Sequence, residues 1–240
     1  MTMRAMALMA LLIGGAQAEA GVRASYRIAE EKTPLIVEIA DNGDASFAQP
    51  GGEVRVVVMG GHAFIVGEFD DGLQTVSLMD LSRALQKTGT PRLELDEPIP
   101  AISPALDNLV ARPVGTRSVA GVSGTVYRMT AGKGVTIEGG DELVATGAPE
   151  LRSIGKAAEV ILAEGGGVLT LFEEAGPFVA RAVRLLSRLV TLGTPLEWKG
   201  IYELRGLETV RIPPETIALP GPPVSPEALV ARIRALTPGT

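Results

Sequence analysis

Val54–Phe69, with the sequence VRVVVMGGHAFIVGEF, holds the most apolar run of the chain after its first eighteen residues. Two segments rich in β-branched residues flank Gly60-Gly61, and glycine supplies the positive φ of a tight hairpin turn. The first segment, Val54–Met59, is too apolar to leave one face in water, and Ala63–Phe69 is nearly as apolar. The sequence therefore predicts a hairpin in the centre of a sheet, with other elements packed over it.

Short turns on both sides of this hairpin predict an antiparallel meander, because short connections join antiparallel strands. Further apolar or alternating runs predict the strands Val22–Glu30, Leu35–Ala40, Ala45–Gln49, Leu73–Val76, Val114–Ala120, Ser123–Thr130, Val135–Glu138, Leu143–Thr146, Leu196–Leu204 and Glu208–Arg211. Asp41-Asn42-Gly43-Asp44 predicts one of the tight turns between them.

Helical spacing of apolar residues interrupts the strands at four places. Ser77 is placed to cap a helix that starts at Leu78, and Ser225 precedes a terminal helix with Leu229 and Ile233 inward. The two longer helices are predicted over Pro149–Glu164, ended by Gly165-Gly166-Gly167, and over Phe178–Leu192.

This order of elements predicts an α+β fold with a large curved antiparallel sheet, an unclosed half-barrel covered by helices. A sheet of about ten to twelve strands is too wide to stay flat and open. We expect residues 19–240 to form a single domain, with Pro149–Glu164 and Phe178–Leu192 on the concave side of the sheet.

The first eighteen residues predict a signal peptide. One positive charge at Arg4 precedes the apolar run Ala5–Ile13, and Ala16-Gln17-Ala18 has the small-x-small pattern of a cleavage site. We expect cleavage after Ala18 and a periplasmic or secreted location. The apolar run is too short to span a bilayer, and because no later segment approaches transmembrane length, no transmembrane segment is expected after cleavage.

Composition excludes several classes of function. The chain has no cysteine, which excludes disulfides, thiol catalysis and cysteine-based zinc sites. A net charge of −6 gives no electrostatic basis for binding nucleic acid, and an aromatic content of 4% argues against a stacking surface for bases or sugars.

Two short motifs carry a resemblance. Val119–Arg128, read as VAGVSGTVYR, and the proline-rich segment from Ile212 to Pro220 resemble segments of a group of exported bacterial proteins of unknown function. The layout of the elements resembles the periplasmic lipoprotein-carrier-like fold, in which an unclosed antiparallel barrel holds an apolar cavity under helices. The resemblance implies a cavity for an apolar ligand.

The residues that commonly carry catalysis are sparse. His62 is the only histidine and lies beside the predicted Gly60-Gly61 turn, where a structural role is expected. The acidic pairs Asp41/Asp44 and Asp70/Asp71 flank glycines and are interpreted as solvated turn acids, since a calcium loop needs more oxygen ligands. We therefore predict no catalytic residues, no metal site, no cofactor and no enzymatic activity.

Arg181, Arg184 and Arg188 are the most distinctive candidate surface feature. Their spacing of three and four places them on one side of the predicted helix. Such a stripe can meet acidic lipid head groups or an acidic envelope protein, and the competing interpretation is an ordinary solvated helix face.

Two functions remain open at this point, and the ligand-binding residues of the first are not identified. The first is a carrier or sensor that binds an apolar or amphipathic molecule, such as a lipid or a lipoprotein acyl chain, in a half-barrel cavity. The alternative is a non-enzymatic structural or interaction protein of the envelope that acts through a surface, either the arginine stripe or Leu219–Pro223.

Overall fold

Residues 19–29, 31–69, 71–88, 109–130, 140–169 and 187–236 are described by the computed structural model. In these ranges the strands are β1 (Glu19–Ile28), β2 (Leu35–Ala40), β3 (Ala45–Ala48), β4 (Val54–Met59), β5 (His62–Phe69), β6 (Gly72–Ser77), β7 (Val110–Val119), β8 (Val122–Thr130), β9 (Glu142–Thr146), β10 (Thr194–Trp198) and β11 (Tyr202–Ile212). The helices are α1 (Leu78–Thr88), a 3₁₀ turn (Pro149–Leu151), α2 (Arg152–Leu169), α3 (Pro214–Ile217) and α4 (Pro226–Leu236).

The eleven strands of the described residues form one antiparallel, unclosed sheet in the order β6-β5-β4-β3-β2-β1-β11-β10-β9-β8-β7. Strands β1 to β6 are neighbours in chain order, as the short turns predict, whereas β9 and β10 are neighbours although a long segment with α2 connects them. The two meanders meet where β1 pairs with β11, from Glu19 opposite Ile212 to Ile28 opposite Tyr202. This long-range pair makes the N-terminal strand a central strand, and β6 and β7 are the edges.

The predicted hairpin forms, but it lies near one edge of the sheet and not at its centre, because β5 pairs with the edge strand β6. Val54–Met59 is a strand with the predicted bounds, and its partner begins one residue early, at His62. Gly60 and Gly61 have φ of 58° and 81°, the left-handed values that the turn requires. Val57, Val58, Ala63 and Val66 are buried, so both faces of the hairpin carry buried residues, whereas Val54 and Phe69 at the end away from the turn are exposed.

Other predicted boundaries differ from the structure. The predicted strand Leu196–Leu204 is divided by a turn at residues 199–201 into the end of β10 and the start of β11. Helix α2 continues through Gly165-Gly166-Gly167 to Leu169 instead of ending there. A Cβ at Gly165 would lie 3.4 Å from Leu78 Cδ1, so α1 packs closely where glycine leaves room. The predicted strand Val135–Glu138 and most of the predicted helix Phe178–Leu192 lie outside the described residues.

The described residues form four hydrophobic clusters. The largest lies among the strands and α2 and includes Ala24, Val37, Leu151, Leu196 and Leu204. A second surrounds Trp198, a third lies against α3, and a fourth joins β6 to α1 and α4. Among the described helices, none combines the length and apolarity needed to cross a membrane.

Candidate functional site

One end of the sheet collects the elements that form the candidate site. Because neighbouring strands alternate in direction, the C-terminal ends of β2, β4 and β9 and the start of β10 fall at the same end. The connections there are residues 41–44, residues 60–61 and the segments around Gly147 and Gly193. We call this end of the sheet the turn end, and the first half of α2 lies beside it.

Asp44 joins two of these turns. Its backbone N–H donates to Asn42 Oδ1 (2.9 Å), and its Oδ2 accepts from Asn42 Nδ2 (3.0 Å). Its Oδ1 accepts from the backbone N–H of Gly60 in the next hairpin turn (2.9 Å). Both carboxylate oxygens are therefore engaged. The sequence predicts Asp44 as a solvated turn acid, and the structure adds that it fixes the two turns relative to each other.

An open cleft of about 450 Å³ lies between these turns and α2. We call it the main cleft, and its lining residues are Asp41, Asn42, Gly43, Asp44, Val58, Gly60, Gly61, Ser153, Lys156, Ala157 and Val160. Val58 and Ala157 are buried and Val160 is half-buried, so they form an apolar floor. The lining has three charged side chains, which we call the rim: Asp41 and Lys156 are exposed, and Asp44 is half-buried.

Lys156 also borders a second cleft. This cleft has a volume of about 250 Å³ and is lined by Thr146, Gly147, Arg152, Gly155, Lys156, Glu159, Val190, Gly193 and Thr194. Lys156 is exposed, as expected for a side chain that two clefts share. Its ammonium group is therefore accessible to a molecule bound at the turn end.

A third, smaller cleft of about 170 Å³ lies beside α3. Its lining is mostly apolar, with Met59, Ile212 and Ile217, and it shares Asn42 and Asp44 with the main cleft. The turn at residues 41–44 therefore contributes to the linings of two clefts.

The space between α2 and the sheet is filled by side chains where the structure describes it. Ala24, Leu151 and Leu196 are fully buried, and Thr194 Oγ1 donates to the carbonyl oxygen of Leu151 (2.7 Å). The two clefts described above that α2 lines lie at the turn end. A ligand site at α2 is therefore best placed at that end.

His62 is the first residue of β5, at the predicted position beside the turn, and its side chain is 59% exposed. Its Nδ1 lies 2.9 Å from Glu164 Oε1, and Glu164 Oε2 accepts from the backbone N–H of Ala63 (2.8 Å). Sequence reasoning missed Glu164 because about a hundred residues separate the partners and no local pattern marks the contact. The pair holds the end of α2 against the hairpin and is not part of the cleft lining.

The structure describes some of the remaining candidate residues and not others. Arg181, Arg184 and Asp70 lie outside the described residues. Arg188 lies in a helical segment, residues 187–190, and is exposed. Asp71 Oδ2 accepts from Arg232 Nη2 of α4 at 2.6 Å, so it forms an ion pair between a turn and the terminal helix.

Ion pairs cross the exposed side of β7–β10. Arg117 contacts Glu142 (2.7 Å) and Glu197 (3.1 Å), and Arg128 lies 3.5 Å from Glu142. The hydrogen bond from Arg117 lowers the pKa of Glu142 from its ordinary value, and the same contact raises the pKa of Arg117. These side chains neutralise each other, which is the behaviour of a structural network.

Three aromatic residues meet in the core. Tyr202 lies edge-on to Tyr26 (6.5 Å between ring centroids) and to Trp198 (6.4 Å). Tyr26 donates its hydroxyl hydrogen to the carbonyl oxygen of Pro195 (3.1 Å). Burial raises the pKa of both tyrosines well above the usual value of 10.0. Both hydroxyls are therefore held neutral and serve packing.

Within the part of the chain that the structure describes, no group of three or more metal-ligating side chains is placed to hold a metal ion. No protein-family model matches the chain, and no curated protein is significantly similar to it.

Proposed function

We propose that the chain is an exported, non-enzymatic binding protein that holds a small amphipathic molecule in the main cleft. One observation carries this function: an open cleft of about 450 Å³ combines an apolar floor with a charged rim. Sites for small molecules have volumes of about 300–1,000 Å³ and combine apolar walls with a few polar groups. An amphipathic molecule satisfies both parts of such a lining, with its apolar part on Val58, Ala157 and Val160.

The anchoring of α2 supports a sheet curved into a half-barrel. The start of α2 is tied to β10 through Thr194, and its end is tied to β5 through Glu164. Five strands lie between β5 and β10 in the sheet order. A sheet that curves around α2 brings both anchors to one helix. The half-barrel then presents its turn end, with the main cleft, as the accessible site.

A binding role is favoured over a catalytic one by the position of the sole imidazole. General acid–base chemistry needs a titratable group within reach of the substrate. His62 is bonded to Glu164 and does not line the main cleft. Export is proposed from the signal-peptide pattern of residues 1–18, which lie outside the described residues.

Lipid-extraction mass spectrometry on the protein purified from a periplasm without detergent tests this function. We expect an amphipathic molecule near one equivalent from the native protein. Ser153→Trp places an indole in the main cleft and should remove that molecule, whereas Ala163→Trp, at an exposed position of the same helix, should retain it. No extracted molecule, or equal recovery from both variants, would contradict binding in this cleft.

A surface role in the envelope is the second candidate, and a different observation favours it. In the segment Leu219–Pro223, Leu219 packs against the cluster beside α3, while Pro220, Pro222 and Pro223 are exposed. The backbone N–H of Val224 donates to the carbonyl oxygen of Thr75 (2.8 Å), so both ends of the segment are held and its prolines are presented to solvent. Proline-rich segments of this kind are recognised by partner proteins. Serine substitutions at Pro222 and Pro223 should then abolish in-envelope crosslinking to a partner, and an unchanged crosslinking pattern would exclude this segment.

A further inference from the structure

We infer that the ligand of the main cleft carries a zwitterionic head group, with its positive charge at Asp41 and its acidic group at Lys156. This specificity rests on the function proposed above and names the chemical class of the ligand. Some charged side chains of the rim already form hydrogen bonds within the protein, and the others are left to bind a ligand.

Asp44 is not available as a ligand-binding carboxylate. Its two oxygens accept hydrogen bonds from the backbone N–H of Gly60 and from Asn42 Nδ2. These bonds hold the turns that form the cleft wall, so Asp44 acts as a structural residue of the site. A ligand that competed for its oxygens would leave donors of the two turns without acceptors.

Asp41 and Lys156 are available. Both side chains are exposed and line the same cleft, Asp41 from the turn after β2 and Lys156 from α2. In the described ranges, no hydrogen bond or ion pair involves the carboxylate of Asp41 or the ammonium of Lys156. The rim therefore presents one uncommitted charge of each sign, on two different elements.

Charge complementarity selects the head group. A purely anionic head at Lys156 would share the cleft with the carboxylates of Asp41 and Asp44, and a purely cationic head at Asp41 would share it with Lys156. A zwitterion gives each uncommitted charge a partner of opposite sign, and like-charge contacts are avoided. The apolar floor of Val58, Ala157 and Val160 then takes the start of the hydrocarbon tail.

Isothermal titration calorimetry with four dodecyl amphiphiles, each below its micelle concentration, tests the inference on the full mature protein. Dodecylphosphocholine is zwitterionic, dodecyl phosphate anionic, dodecyltrimethylammonium cationic and dodecyl maltoside uncharged. We expect dodecylphosphocholine to bind more tightly than the other three amphiphiles, with a Kd at least about tenfold lower.

Variants that each remove one charge show which end of the head group contacts Asp41 and which contacts Lys156. Asp41→Asn should weaken binding of the zwitterion and the cation and leave dodecyl phosphate unaffected. Lys156→Gln should weaken binding of the zwitterion and the anion and leave the cation unaffected. Glu53→Gln and Lys87→Gln, at exposed positions outside the cleft lining, should bind all four amphiphiles like the native protein.

The outcomes separate this specificity from the function on which it rests. Equal affinities for the four amphiphiles, all abolished by Ser153→Trp, would overturn the zwitterion assignment and leave ligand binding in the main cleft intact. Unchanged binding of dodecylphosphocholine to Asp41→Asn and Lys156→Gln would overturn the assignment as well. Failure of all four amphiphiles to bind would overturn both.

Discussion

Nδ1 of His62 lies 2.9 Å from Oε1 of Glu164, which joins the first residue of β5 to α2. The other oxygen of Glu164 accepts from the backbone N–H of the buried residue Ala63 (2.8 Å), and the carbonyl oxygen of Glu164 accepts from Ser82 Oγ of α1 (3.2 Å). One residue of α2 therefore connects the β4–β5 hairpin to α1 and α2, next to the turn that lines the main cleft.

The two residues of the His62–Glu164 pair predict different stability losses. Glu164→Ala leaves the buried N–H of Ala63 without its acceptor, so we expect a loss of about 1–3 kcal/mol in the free energy of unfolding. His62→Ala removes an exposed partner and should cost less than about 1 kcal/mol. Urea unfolding measures both losses of stability. The control is Glu159→Ala, a substitution at an exposed position of the same helix. Equal effects of Glu164→Ala and Glu159→Ala would show that the contact contributes nothing.

Two glycines on neighbouring strands should respond differently to alanine. At Gly124 of β8, a Cβ would lie 2.7 Å from Val144 Cγ1 and 2.9 Å from Leu196 Cδ1, so we expect Gly124→Ala to destabilise by about 1–3 kcal/mol through overpacking. At Gly115 of β7, a Cβ meets nothing within 4 Å. Gly115→Ala should be neutral or stabilise by up to about 1 kcal/mol because it restricts the unfolded chain.

Thermal and urea unfolding of the two alanine variants check this pair. A Gly115→Ala variant as unstable as Gly124→Ala would show that the effect comes from β-strand glycines in general. That result would contradict the close packing of Gly124 against β9 and β10.

Glu142 predicts part of the acid dependence of stability. Its pKa is lowered in the folded protein by the hydrogen bond from Arg117, so its contribution is present above the ordinary value of 4.5 and is lost as pH falls through the lowered pKa. Glu142→Gln should therefore lose less stability than the native protein between pH 7 and pH 3. Urea unfolding at both pH values measures the difference, and Glu53→Gln, at an exposed turn position, serves as control. An identical pH dependence of native protein and Glu142→Gln would contradict this role.

Tyr26 and Tyr202 predict that the folded protein loses stability at alkaline pH. Burial raises their pKa above the unfolded value of 10.0, so their contribution to stability is complete below that pH and is lost as pH rises above it. In a spectrophotometric titration, the two phenols should ionise only together with unfolding. The double variant Tyr26→Phe/Tyr202→Phe should lack that step, and a native protein whose phenols all ionise before unfolding would contradict the burial argument.

Local patterns were sufficient for much of the fold. β-branched runs and Gly60-Gly61 predicted the β4–β5 hairpin, although not its place near the edge of the sheet. Ser77 and Ser225 were predicted to start the first and last helices. Each does accept a bond from a helical N–H, Asp80 N at 3.2 Å and Ala228 N at 3.2 Å. These features are decided within a few residues, because a turn or a cap depends on neighbouring φ angles and side-chain oxygens.

The candidate site was not predictable in the same way. The turn acids Asp41 and Asp44 were noted, but nothing in the sequence placed them beside Lys156 of α2, more than a hundred residues away. The hydrogen bonds from Gly60 N–H to Asp44 and from Ala63 N–H to Glu164 join separate segments of the chain. The local sequence pattern of each segment accounts for its own secondary structure and does not indicate the partner. Such contacts form when separate helices and strands pack together, and no local sequence pattern predicts them.

The sequence by itself determined the antiparallel strands, the tight turns that join them and the apolar faces of the helices, because alternation, helical spacing and turn glycines act locally. Only the tertiary structure decided that β1 pairs with β11, that α2 runs through Gly165-Gly166-Gly167 against Leu78, and that the turn end forms a cleft. Long-range pairing depends on the burial gained when distant segments meet, and that gain exists only in the folded chain.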